Sequence, residues 1–180
     1  THSMYPLNQV EKLVSCGRDP ARSLPFWRGF LLIPLVLVCT ALSSQAQCVD
    51  GCDSSFDTFQ GDGALINNGG LGNSAFGWKS LTFNSSGSFN TAMGPSLVLN
   101  TTGNSNTAVG AAALLLNSSG EENTAVGVDA MVFNDTGVFN GAFGGFALEN
   151  NVDGFSNNAF GDHAMFANVT GADNTAVGDL

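Results

Sequence analysis

The chain has 180 residues, 23 of them glycine and only 11% charged, with a formal net charge of −10. After residue 47 one lysine stands against 13 carboxylates, a net −12, which excludes nucleic acid and anionic membrane as direct partners because both require a basic face. The composition is rich in turn formers, yet 14 phenylalanines and 43% hydrophobic residues separate it from a disordered chain.

Thr1 to Ser3 precede the first methionine and read as upstream read-through. Lys12, Arg18, Arg22 and Arg28 then lead into the apolar run Phe30 to Leu42, which is followed by the small and polar residues Ser43 to Gln47. That order is the grammar of a secretory signal peptide, with cleavage expected after Ala46. The run has 13 residues and is interrupted by Pro34, short of the ~20 needed to span a bilayer. Gln47 before Cys48 is a poor match to a lipoprotein signal. Cleavage would leave Cys48 and Cys52, expected to form a local disulfide in an oxidising compartment. The predicted layout is a signal segment with read-through over 1–46, an N-terminal cap carrying Cys48 and Cys52 over 47–72, and repeats over 73–180.

The repeats carry the chain. A five-residue phrase opens at Asn73, Asn90, Asn106, Asn123, Asn140, Asn157 and Asn174 and closes at Gly77, Gly94, Gly110, Gly127, Gly144, Gly161 and Gly178. The openings are 17 residues apart except for the 16 between Asn90 and Asn106. A second asparagine (Asn84, Asn100, Asn117, Asn134, Asn151, Asn168) precedes a second glycine in each unit. A fixed short period predicts an all-β solenoid of stacked coils of about 17 residues, with neighbouring coils ~4.8 Å apart. Residues 53–72 read as a worn repeat capping the N-terminal end, and the array is expected to continue past Leu180. The second asparagines at 84, 100, 117, 134 and 168 also stand in Asn-Xaa-Ser/Thr sequences. Stacked in register, the recurring asparagines are expected to form amide ladders along the rod, and the Asn-Xaa-Ser/Thr sequences read as turn chemistry and not as glycan acceptors.

Within the phrase, alternation suits a short strand. The apolar fourth position (Phe76, Met93, Val109, Val126, Phe143, Phe160, Val177) is assigned to the coil interior. The neighbouring alanines Ala75, Ala92, Ala108, Ala125, Ala142, Ala159 and Ala176 are then expected on the outside, as a small-residue strip for side-by-side packing of chains. A second apolar position (Leu81, Leu97, Leu114, Met131, Leu148, Met165) fits either a second short strand or one helical turn.

The recurring NTAVG phrase after an export signal resembles the head repeats of trimeric autotransporter adhesins, the YadA-like head family, over Asn73 to Gly178. The resemblance implies a left-handed parallel β-roll, a homotrimer, and display on a bacterial cell surface or outer membrane to bind a host or matrix ligand. The period here is longer than that of the usual head repeat. The other reading is a structural fibre segment of an exported appendage or phage-like tail whose chaperone domain would follow Leu180.

Little else in the sequence suggests chemistry. After residue 47 the chain has one histidine, His163, one lysine, Lys79, and no arginine or tyrosine. His163 beside Asp162 falls among the variable corner residues, where no other copy supplies a base or oxyanion donor. No cofactor and no catalytic residue are expected. Asp129, Asp162 and Asp179 recur at coil corners but lack the spacing of calcium-binding nonapeptide coils. Threonine follows the first asparagine in four of seven copies, too sparse for a paired-threonine crystal-binding face.

Overall fold

The computed structural model describes residues 50–179, all belonging to one unit spanning 47–180. The signal segment, its cleavage point and Cys48 lie outside the described residues. Cys52 is disulfide-bonded.

Among the described residues every regular element is a strand. In chain order they are β1 (Asp50–Cys52), β2 (Thr58–Gln60), β3 (Asn67–Asn68), β4 (Ser74–Phe76), β5 (Phe83–Asn84), β6 (Thr91–Met93) and β7 (Leu99–Asn100). They continue as β8 (Thr107–Val109), β9 (Leu116–Asn117), β10 (Thr124–Val126), β11 (Gly141–Phe143), β12 (Asn158–Phe160) and β13 (Thr175–Val177). The phrase strands stack into one sheet, β1-β2-β4-β6-β8-β10-β11-β12-β13, and a second sheet, β3-β5-β7-β9, runs along another side. From β2 onward every pairing is parallel and joins like positions, such as Ala108 to Ala125 and Ala125 to Ala142. The chain is a parallel β-solenoid.

The second half of each coil is therefore no helical turn. Over the first four coils it contains a two-residue strand, and in later coils that segment is a turn.

The parity expected for the phrase is inverted. Ala75, Ala92, Ala108, Ala125, Ala142 and Ala159 are fully buried in the coil interior, and Ala176 on the last described coil is half-buried. The alanines therefore do not form an outer oligomer strip. The residues assigned to the interior point outward, with Met93 48% and Phe160 41% exposed. The interior is filled instead by the second apolar position (Leu81, Leu97, Leu114, Met131, Leu148), by the small residue before it, and by both asparagines of each coil. One long side chain and two amides leave room only for a methyl group on the opposite wall. Close packing then selects alanine.

The corners explain how so small a coil closes. Among the described residues nineteen non-glycine residues have positive φ, in three recurring series: before the small inner residue (Lys79, Ala112, Asp129), at the inner aliphatic (Leu81, Leu97, Leu114), and before the next phrase (Phe89, Ser105, Glu122). A left-handed non-glycine residue costs about 1–2 kcal/mol. Stacking holds these residues in place, since their N–H groups donate to neighbouring coils: Leu114 to Ala130 at 3.0 Å, Ala112 to Pro95 at 2.9 Å, and Glu122 to Asn104 at 3.0 Å. Unusual backbone persists where the surroundings over-determine it in this way.

Candidate functional site

Two buried amide ladders run along the solenoid. In the first, the Oδ1 of each opening asparagine accepts the backbone N–H of the next: Asn90 donates to Asn73 at 2.9 Å, Asn123 to Asn106 at 3.0 Å, and Asn140 to Asn123 at 3.0 Å. In the second, each Nδ2 donates to the Oδ1 of the preceding rung: Asn100 to Asn84 at 2.8 Å, Asn117 to Asn100 at 2.7 Å, and Asn134 to Asn117 at 2.9 Å. Both ladders meet at the second glycine of the coil. The Gly120 carbonyl accepts from Asn106 at 2.8 Å and from Asn117 at 2.9 Å.

This convergence explains the glycine. Gly120 has no left-handed φ, but a Cβ there would lie 2.4 Å from Asn117 Oδ1 and 2.5 Å from Asn134 Nδ2. The closing glycine of the phrase serves the turn as well: Gly110 has φ of 133°, and the backbone of Gly127 lies against it. Among the described residues no buried side-chain nitrogen or oxygen lacks a partner. That satisfaction is what makes a polar core tolerable, because an unpaired buried group costs ~1–3 kcal/mol.

The repeat positions Asn73 to Gly178 are thus scaffold. What they hold up is the outer wall of the phrase sheet. Two rows lie on its outer side: Ser74, Thr91, Thr107, Thr124, Asn158 and Thr175, interrupted by the buried Gly141, and beside them Phe76, Met93, Val109, Val126, Phe143, Phe160 and Val177. Neither row contains a charge, although the chain beyond residue 47 carries a net −12. Six steps of ~4.8 Å make each row ~29 Å long. Phe143 and Phe160 stack with ring centroids 5.0 Å apart. A shorter apolar row, Phe83, Leu99, Leu116 and Phe133, lines the outside of the second half-coil.

At the N-terminal end Asp57 stands in the register of the opening asparagines, since Thr58 pairs with Ser74. Its Oδ1 accepts the Asn73 N–H and its Oδ2 accepts Asn68 Nδ2, so one buried carboxylate ends both ladders. Asp53 in turn accepts the Asp57 N–H at 3.2 Å. Burial raises the Asp57 pKa, hydrogen bonds from Asn73 oppose the rise, and the Asp53 charge adds to it. Strand β1 pairs antiparallel with β2 and covers the sheet edge, protecting it from stray pairing. The sequence reading missed Asp57; its signal was the spacing of 16 residues to Asn73.

His163 Nδ1 lies 2.7 Å from Asp162 Oδ2 at the exposed corner, with the imidazole stacked 4.6 Å from Phe146. Asp129, Asp162 and Asp179 do not converge: among the described residues no group of three or more His, Cys, Asp or Glu side chains could hold a metal ion.

No protein-family model, curated protein or solved structure matches the chain. Its functional reading therefore rests on the geometry of the two walls.

Proposed function

We propose that this chain is an exported, non-catalytic display rod of the adhesin-head kind, which mediates attachment by presenting the same outer rows on successive coils. The observation that carries the reading is the division of labour within the strand. Inner residues repeat with almost no variation because the ladders and the methyl-sized gap dictate them. The outer positions vary among Phe, Met and Val, or among Ser, Thr, Gly and Asn. Side chains released from folding constraints and kept free of charge on an acidic rod are available for a partner.

Side-by-side association into a homotrimer belongs to the same proposal, with the interface moved from the alanines to the apolar outer row. The test is light scattering and circular dichroism on the full chain and on a variant carrying Met93→Ser, Phe143→Ser and Phe160→Ser. Beads coated with each protein are then scored for retention on a panel of matrix proteins. The expected result is a β-rich trimer that retains beads, and a β-rich monomeric variant that does not. A monomeric natural chain would sink the trimer, and retention on no matrix protein would leave the structural fibre segment as the better reading.

A further inference from the structure

Five second-ladder asparagines begin the glycan-acceptor sequence Asn-Xaa-Ser/Thr: Asn84, Asn100, Asn117, Asn134 and Asn168. The first four are fully buried. In each, both amide hydrogens are used: Asn100 Nδ2 donates to Asn84 Oδ1 and to the Gly103 carbonyl, both at 2.8 Å. The hydroxyl residues that complete the sequences, Ser86, Thr102, Ser119, Thr136 and Thr170, are exposed. The acceptor sequence is thus complete in the extended chain and closed once a coil forms.

We infer that N-glycosylation and folding of this solenoid are mutually exclusive, so that the second-ladder asparagines are modification sites only in the unfolded chain. In the transfer, Nδ2 displaces a lipid diphosphate from the anomeric carbon of the donor oligosaccharide. A C–N bond forms, the sugar C–O bond breaks, and one amide proton leaves. The product retains one N–H where the ladder needs two, and the sugar would occupy space already filled. A Cβ on Gly103, which approaches the same amide, would already lie 2.6 Å from Asn117 Nδ2 and 2.2 Å from the Gly120 carbonyl. Neighbouring rungs share these groups, so one glycan would disturb the coil above and the coil below. The inference rests on the fold alone and is independent of the display reading. It requires that the chain fold without transfer of an oligosaccharide to the ladder beforehand.

The test uses the full chain purified from a host without N-glycosylation, an oligosaccharyltransferase and its lipid-linked donor. The folded chain should gain no sugar at Asn100, Asn117 or Asn134. In a second arm the chain, preceded by the host's own export signal, is expressed in an N-glycosylating secretory host. A five-site variant (Ser86→Ala, Thr102→Ala, Ser119→Ala, Thr136→Ala, Thr170→Ala) is expressed alongside. Chains that acquire glycans at the ladder should be protease-sensitive and lack the β-sheet spectrum, and the variant should exceed the natural chain at least tenfold in secreted, folded protein. Sugar on the folded chain in the first arm, or glycosylated chains as protease-resistant as the variant in the second, overturns the inference. If the variant itself does not fold, the first arm decides alone.

Discussion

The middle coils and the first coil solve the same problem with different groups. In the coil from Asn106 to Glu122 each ladder amide meets another above and below, and the polar interior is neutral throughout. In the coil that begins at Asp57 the rung is a carboxylate, it serves both ladders at once, and the strand below it runs antiparallel. The difference shows what a stacked structure must arrange at an end: a partner for the last donors, and an edge that no further chain can join. Asparagine propagates because it both donates and accepts. An ionised aspartate only accepts, so it stops the pattern.

The largest expected effect comes from breaking the middle. Asn117→Ala removes three buried hydrogen bonds: the Asn100 Oδ1 loses its donor, while the Gly120 carbonyl keeps only Asn106 and the Asn134 Nδ2 keeps only Gly137. It should cost about 3–5 kcal/mol in urea unfolding, since three buried hydrogen bonds are lost together and one buried oxygen is left unpaired. A loss below about 1 kcal/mol would show that the ladder relaxes without cost.

Asp57→Asn changes the end into a copy of the middle. With its pKa raised in the folded state by burial and by Asp53, the natural carboxyl binds its proton more tightly folded than unfolded. Its contribution to stability therefore falls as pH rises from the ordinary aspartate value of 3.8 through the raised folded value, and is level above that. The natural chain minus the variant, compared by urea midpoints between about pH 3 and about pH 7, should show that fall. Parallel pH curves for the two proteins would show that the Asp57 carboxyl binds its proton no more tightly in the folded chain.

The smallest effect sharpens the account of the corners, which the first and middle coils share. Ser105 is exposed with φ of 58°, so Ser105→Gly should stabilise by about 0.5–1 kcal/mol, the relief of left-handed strain offset by glycine's greater unfolded entropy. A destabilised variant in thermal melts would mean the corner carries no such strain.

Much of this was legible in the residues. Spacing set the period and the in-register stacking, because Asn and Gly recur where only an amide or a bare backbone fits. The amide ladders followed from the same register, but the burial of the asparagines was less legible. Asn84 and its equivalents look like turn residues, since turns and buried ladders favour the same side chain. Alternation within the phrase put the small-residue strip on Ala75 and its equivalents, which the fold turns inward.

What the sequence determined by itself was the one-dimensional order: which residues stack on which, and how often. What only the tertiary structure decided was which wall faces inward. A three-residue strand such as Thr107-Ala108-Val109 alternates equally well in either sense, and apolarity alone favours valine inside. The left-handed turn at Leu114 and the two buried amides, Asn106 and Asn117, fill the interior first. Excluded volume then admits alanine and leaves valine on the surface.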